Sequence, residues 1–164
     1  SVLERGGVLF LKEKPGSSED KMIPTHTDCR MVFCGNTVGQ GDESGAHAGT
    51  NVQNTATIDR FDTAIHLDYL TPDHEKGVVT SKVPDIDAKV LDKMIQFGSL
   101  VRNAYKQSSI GITMSPRTLI NWASKTVDYG LVKVALKYSY LNKLSDSNRK
   151  VAEELYVKVF GNTK

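Results

Sequence analysis

The sequence predicts an α/β fold followed by an all-helical region, and three observations support this division. Residues 1–70 contain short apolar runs separated by glycine-rich stretches, as in strands joined by loops. Residues 71–164 instead carry helical periodicity and helix-capping signals. The length of 164 residues suits one compact domain or two small ones. We therefore predict two domains, 1–70 and 71–164.

The first domain offers three apolar runs of strand length, each bounded by Gly, Pro or Asp. They cover residues 8–11, 31–34 and 64–67. The Lys-Pro-Gly-Ser-Ser segment at residues 14–18 is a turn by composition, so residues 8–23 are predicted to form a hairpin. A glycine-rich loop covers residues 35–50, and residues 51–60 have the length of a helix.

Capping signals mark where the helices of the second domain begin. Thr71 and Pro72 predict a first helix, with the threonine as N-cap and the proline in the first turn. Ser115 and Pro116 open another helix over residues 118–129 in the same way.

Periodicity and chain breaks predict the remaining helices. Gly130 ends the helix before it, and residues 131–144 and 145–160 follow as a predicted antiparallel pair, the second capped by Ser145 or Asp146. Within residues 85–107, apolar side chains recur every three or four positions, which is the spacing of one helix face. They are Ile86, Val90, Met94, Phe97, Val101 and Tyr105.

Charge and hydropathy exclude several classes of protein. Lys and Arg number 21 and Asp and Glu 19, giving a net charge of +2. This balance argues against nucleic acid or a membrane surface as partner. No apolar run approaches the roughly 20 residues of a membrane helix, and the start lacks the pattern of a signal peptide.

Cysteine and histidine usage predicts a reducing compartment and no metal site. Cys29 and Cys34 lie five positions apart, so in a strand they would face opposite sides and could not readily bridge. No further cysteine completes a zinc set, and the four histidines show no HExxH spacing. We therefore expect a cytoplasmic protein.

Several strings resemble the ATPase subunit of cobaltochelatase, CobS, which is an AAA+ protein of the MoxR type. The longest is Cys-Gly-Asn-Thr-Val-Gly-Gln-Gly-Asp at residues 34–42. Shorter matches follow in the same order over nearly the whole chain. They are Gly49-Thr50, Asp59-Arg60-Phe61, Leu67-Asp68-Tyr69-Leu70, Met114-Ser115-Pro116-Arg117-Thr118, Asn121-Trp122-Ala123 and Leu141-Asn142-Lys143.

The resemblance implies a fold in two parts. Residues 1–70 would be an incomplete AAA+ α/β core, from the sensor 1 strand onward, and residues 71–164 a helical lid subdomain. In such a sheet, the strand that carries the phosphate loop lies between the sensor 1 strand and the strand at residues 64–67. Because that strand is missing here, both neighbours would lose a hydrogen-bonding partner, and we expect some rearrangement.

The resemblance also implies roles for four residues. Asn36 matches sensor 1, which positions the attacking water, and Arg60 matches the arginine finger, which Asp59 would orient. Arg117 matches sensor 2, which presents a guanidinium to the phosphates of its own subunit. In phosphoryl transfer an arginine finger contributes roughly 10³–10⁵ in rate.

Each of these residues also has a plainer interpretation. Arg60 could simply cap a helix C-terminus, where a cation is favoured, and Asn36 could sit in an ordinary turn. Arg117 is less easily explained, because the helix dipole disfavours a cation in the first turn by about 0.3–1 kcal/mol. A residue that breaks a local rule indicates a functional reason, here an anion to bind, although an exposed arginine over apolar surface is common.

The sequence departs from the family where ATP and Mg²⁺ are held. It contains no GxxxxGK[ST] phosphate loop, and the best match to a Walker B strand puts Lys12 where the metal-binding Asp belongs. A lysine has no lone pair for Mg²⁺. We therefore expect that ATP and Mg²⁺ are bound mainly by segments upstream of Ser1, and that this chain alone is inactive.

For the complete protein, the resemblance implies a homo-oligomeric ring, a hexamer, that hydrolyses ATP to remodel a partner. CobS-like proteins work with a partner of the von Willebrand A type, and in cobaltochelatase this coupling drives metal insertion into a corrin. The alternative is a non-catalytic module, derived from the same fold, that binds a protein or nucleic acid. Trp122, Tyr129 and Tyr138 are predicted as core or interface aromatics, and the lysines at 133, 137 and 143 as a solvated face.

Overall fold

The computed structural model describes residues 6–35 and 54–161. Within these residues the chain is mostly helical, with one small two-stranded sheet. It divides into two compact units, Ser1–Leu67 and Asp68–Lys164. None of the helices in the described ranges is both long and apolar enough to cross a membrane.

The first unit contains the predicted hairpin. Strands β1 (Val8–Phe10) and β2 (Met22–Pro24) pair in antiparallel fashion. In the turn, Ser17 donates hydrogen bonds to the Asp20 carboxylate from its hydroxyl (2.7 Å) and its backbone N–H (2.9 Å), which lower the pKa of Asp20. Gly16 has a φ of +125°, and a Cβ there would meet Asp20 Oδ2 at 2.9 Å, so the turn requires glycine.

The prediction of two further strands in this unit is wrong. Neither residues 31–34 nor residues 64–67 form a strand, and Val32 and Leu67 are 89% and 86% exposed. The physical reason is that a strand needs a neighbour for its backbone hydrogen bonds, and no described residue pairs with either run. The helix predicted at 51–60 is observed as α1 (Thr55–Ile58); residues 51–53 lie outside the described ranges.

Between residues 68 and 161 the second unit contains five α-helices, and three of the predicted starts are confirmed. The hydroxyls of Thr71, Ser115 and Ser145 each accept a backbone N–H of the first turn. The predicted helix at 85–107 begins at residue 88, because the Asp87 side chain caps it. The helices are α2 (Pro72–Lys82), α3 (Ala88–Lys106), α4 (Pro116–Tyr129), α5 (Val132–Ser139) and α6 (Asp146–Phe160).

An aromatic cluster forms the centre of this unit. Phe97 of α3 packs edge-on against Trp122 of α4, with ring centroids 5.4 Å apart, and also against Tyr156 of α6. Trp122 is fully buried and its indole N–H donates to the carbonyl of Val132 (2.9 Å), so its predicted core position is confirmed.

Two of the predicted aromatics lie at the surface instead. Tyr129 and Tyr138 are 47% and 56% exposed, and they contact each other edge-on with centroids 6.2 Å apart. They are therefore not core residues, and an interface role stays a prediction.

The predicted antiparallel pair of helices at 131–144 and 145–160 is wrong. Helix α5 packs against α4, whereas α6 packs against α3, and no Cα atom of α5 lies within 8 Å of one in α6. Two local features explain this. Gly130 adopts the left-handed conformation (φ 67°), so α5 follows α4 after a single further residue. Helix α5 then ends before Tyr140, whose side chain is buried. A 3-10 turn, Leu141–Lys143, follows this residue.

Two glycines of this unit give a matched pair of stability predictions. Gly77 lies within α2 with open space around it, so Gly77→Ala is expected to stabilise by about 0.5–1 kcal/mol. Gly130 also has open space, but its left-handed φ penalises a Cβ, so Gly130→Ala is expected to destabilise by about 1 kcal/mol. Urea unfolding followed by circular dichroism checks both. Shifts of the same sign would contradict the backbone explanation.

Candidate functional site

The first turn of α4 presents Arg117 to solvent. Ser115 is the N-cap, since its hydroxyl accepts the backbone N–H of Thr118 (3.2 Å), and Pro116 occupies the first helical position. Arg117 is exposed, and within the described part of the chain no group forms a hydrogen bond or ion pair with its guanidinium. All of its donors are therefore available to a ligand.

A buried ion pair lies beneath this turn. The Arg102 guanidinium of α3 donates to both carboxylate oxygens of Glu75 in α2, at 2.8 and 2.6 Å. Its Nε donates to the carbonyl oxygen of Met114 at 2.8 Å. The side chains of Arg102 and Glu75 are only 7% and 1% exposed. A bidentate pair of this kind fixes orientation as well as position.

Two tyrosines hold the residues just before Met114. The Tyr69 ring lies on the Arg102 guanidinium, 4.1 Å from its central carbon, and the Tyr69 hydroxyl is 3.1 Å from the hydroxyl of Thr113. The Tyr140 hydroxyl donates to the carbonyl of Ile112. Burial, with a smaller contribution from Tyr69, raises the pKa of Tyr140, so this hydroxyl stays a neutral donor.

We call the four side chains Tyr69, Glu75, Arg102 and Tyr140 the α4 clamp. Through them, each of the residues 112, 113 and 114 is bonded to a side chain from elsewhere in the unit. The backbone that leads into α4 is therefore held in place. This arrangement fixes the backbone that carries Arg117, while the Arg117 side chain stays exposed.

Sequence reasoning identified Arg117 but missed the clamp. Glu75 lies in the first turn of α2, where an acidic residue is ordinary because of the helix dipole. Arg102 lies one turn after Gly98, which packs against Leu119 of α4, so helical spacing could have placed this arginine on the buried face.

The other predicted site residues belong to the first unit. Asn36 lies outside the described residues. Arg60 follows α1, and its Nη1 donates to the carbonyl of Ala56 (2.7 Å), which is the capping arrangement that a cation favours there. Asp59 is the C-cap of α1 and is exposed. The roles of these three residues stay predictions.

The side chains at the α4 turn suit a phosphate better than a metal ion. Arg117 offers only donors, which match phosphate oxygens and cannot ligate Mg²⁺. Among residues 6–35 and 54–161, no group of three or more His, Cys, Asp or Glu is placed to hold a metal ion. The exposed guanidinium is therefore suited to binding an anion.

Comparison with known proteins gives two matches. The model of the CbbQ/NirQ/NorQ C-terminal family matches residues 75–156, half of the chain, a range that begins at Glu75 and includes Arg117. The aerobic cobaltochelatase subunit CobS of a Sinorhizobium species is 33% identical over 164 residues, which is 98% of this chain and 48% of that protein. The chain thus spans about half the length of this curated relative. It belongs to the AAA+ ATPases of the MoxR/CobS type, as a C-terminal portion.

Proposed function

We propose that this chain supplies the sensor 2 side of a nucleotide site in a complete CobS/MoxR-type AAA+ ATPase. The observation that supports this best is the turn that carries Arg117. Its guanidinium has no partner among the described residues, while the backbone beneath it is held by the α4 clamp. The helix dipole disfavours a cation at this position, and the backbone that carries it is fixed. Such a cation is suited to binding an anion.

In this proposal, Arg117 binds phosphate oxygens and neutralises charge that develops during phosphoryl transfer. ATP, when bound, supplies the phosphoanhydride whose hydrolysis drives the protein. Because the clamp holds residues 112–114, little reorganisation of the backbone is needed when Arg117 engages. Arg102 is buried, and three of its five N–H donors bond Glu75 and Met114, so we assign it as a positioning residue and not as a phosphate ligand.

The first unit would contribute the remaining parts of the proposed site. Asn36 would position the attacking water as sensor 1, and Arg60, oriented by Asp59, would reach the site of a neighbouring subunit. For that, Arg60 must release the carbonyl of Ala56, which is an exposed bond and cheap to exchange for water. Segments outside this chain would hold Mg²⁺ and most of the ATP. We further propose that residues 1–70 belong to the α/β core of such an ATPase.

The relative named above suggests what the complete protein does. It is described as a subunit of an aerobic cobaltochelatase. We propose that the complete protein forms a cytoplasmic hexameric ring that works with a partner of the von Willebrand A type. In this proposal it couples ATP binding and hydrolysis to remodelling or metal insertion in a partner.

The isolated chain gives a simple test. Residues 1–164 contain no GxxxxGK[ST] loop, so purified chain is expected to release no phosphate from ATP, with or without Mg²⁺. A phosphate-release assay measures this, with an EDTA-treated sample as the blank. Turnover that depends on Mg²⁺ and on the chain concentration would overturn the proposal that the phosphate-binding segments lie outside it.

A further inference from the structure

Helices α5 and α6 leave an open groove where the sequence predicted a helix pair. Helix α5 packs on α4 and α6 packs on α3, and residues of both α5 and α6 line the groove. The groove has a volume of about 870 Å³ and is lined by residues of α3, α5, α6 and the α4–α5 connection.

The floor of the groove is apolar. Leu131 and Val134 contribute side chains that are 59% and 37% exposed. Tyr156 and Phe160 also line the groove, where their rings stack with centroids 4.6 Å apart, and the Tyr156 side chain is buried. These two exposed aliphatic side chains offer a small apolar contact surface within a concave site.

Four lysines line the groove, on two of its sides. Lys89 and Lys93 are one turn apart on α3, and Lys133 and Lys137 are one turn apart on α5. Lys93 lies 5.6 Å from the centre of the Phe160 ring. The other three form no hydrogen bond or ion pair with any group in the described part of the chain. Glu153 is the one carboxylate among the lining residues.

This concentration of charge is local. The whole chain has 21 basic and 19 acidic residues, so it is nearly balanced. Like charges one turn apart on a helix repel each other, and the groove contains two such pairs. Two unfavourable pairs of like charges at one site indicate a functional reason, just as an unfavourable cation in the first turn of α4 does for Arg117.

We propose that this lysine groove binds an acidic amphipathic helix of a partner protein. Apolar side chains of that helix, spaced three and four residues apart, would lie on the Leu131–Val134 floor, and its carboxylates would meet the lysines. The binding does not depend on nucleotide, so it stands or falls separately from the proposed ATPase function.

Two other occupants fit the groove less well. A nucleic acid would meet the lysines through its phosphates but would leave the exposed side chains of Leu131 and Val134 without an apolar partner. A second copy that docks by two-fold symmetry would place the same lysines against each other. An acidic helix matches both the charge and the apolar floor.

A direct test uses the full 164-residue chain and a synthetic peptide. The peptide is a fluorescein-labelled helix of roughly 18 residues, five turns, with leucines on one face and glutamates on the other. Fluorescence anisotropy is expected to show saturable binding, at least about tenfold tighter than for the same peptide with lysines in place of glutamates. Equal binding of the two peptides, or no saturable binding, would overturn the proposal.

Matched variants show whether the peptide binds in the groove. Lys133→Glu/Lys137→Glu is expected to weaken binding about tenfold or more, whereas Lys82→Glu/Lys158→Glu, which changes net charge equally on exposed positions of α2 and α6, is expected to change it less than about twofold. Circular dichroism confirms that each variant folds. Equal losses of affinity in the two double variants would mean that the peptide is held by general charge attraction, and would contradict binding in the groove.

Two further measurements separate the competing occupants. Single-stranded oligonucleotide that displaces the peptide from the groove at lower concentration would favour nucleic acid and contradict the proposal. Sedimentation of the chain alone is expected to show no self-association through the groove. Self-association that Lys133→Glu/Lys137→Glu abolishes would identify a second copy as the occupant and contradict the proposal.

Discussion

Replacing Arg117 with alanine in the complete ATPase is expected to lower kcat by on the order of 10²-fold or more. The side chain is exposed and has no partner among the described residues, so its loss removes the proposed phosphate ligand and almost no contact within the unit. The stability of the helical unit is expected to change by less than about 0.5 kcal/mol, as for other surface substitutions. Steady-state ATP hydrolysis and thermal unfolding measure the two effects separately.

Two variants make this prediction sharper. Arg117→Lys keeps the charge but loses the planar pair of donors, so it is expected to recover only part of the activity. Lys158→Ala removes an exposed cation from α6 and is expected to leave kcat unchanged. If Arg117→Ala retained kcat within about twofold of the unmodified protein, Arg117 would have no role in hydrolysis.

Replacing Glu75 with alanine is expected to destabilise the helical unit by about 3–5 kcal/mol. The change leaves the Arg102 guanidinium buried without its counter-charge, and it loosens the donor that holds the carbonyl of Met114. Urea unfolding of the full chain, followed by far-ultraviolet circular dichroism, measures the loss. Glu75→Gln keeps one hydrogen bond and is expected to fall between the alanine variant and the unmodified protein.

An exposed ion pair of the same unit provides the control. Lys76 of α2 bonds Asp92 of α3, and both side chains are largely accessible, at 40% and 58%. Asp92→Ala is therefore expected to cost at most about 1 kcal/mol. If Glu75→Ala cost no more than Asp92→Ala, the α4 clamp would not hold the turn that carries Arg117.

Local signals predicted the helices well because those signals are themselves structural contacts. The hydroxyls of Thr71 and Ser115 accept backbone N–H groups in the first turns of α2 and α4, and Gly130 has the left-handed backbone that ends α4. The runs at 31–34 and 64–67 have equally good composition for strands. They fail because a strand needs a partner, and no residue in the described ranges provides one.

The candidate site divides in the same way. Arg117 could be identified because a cation in a first turn contradicts a local rule. Glu75 and Arg102 could not, since their pairing joins residues 27 positions apart and depends on how α2, α3 and the Met114 backbone meet. For the same reason, the groove between α5 and α6 could not be foreseen: the sequence does not encode locally that α6 packs on α3.

The position of Arg117 relative to bound nucleotide is tested most directly by a structure of the complete protein with a non-hydrolysable ATP analogue and Mg²⁺. We expect the Arg117 guanidinium to donate to a phosphate oxygen at about 2.7–2.9 Å, with the Arg102 bond to the Met114 carbonyl retained. A nucleotide bound with no phosphate oxygen within about 6 Å of Arg117 would contradict its role as sensor 2.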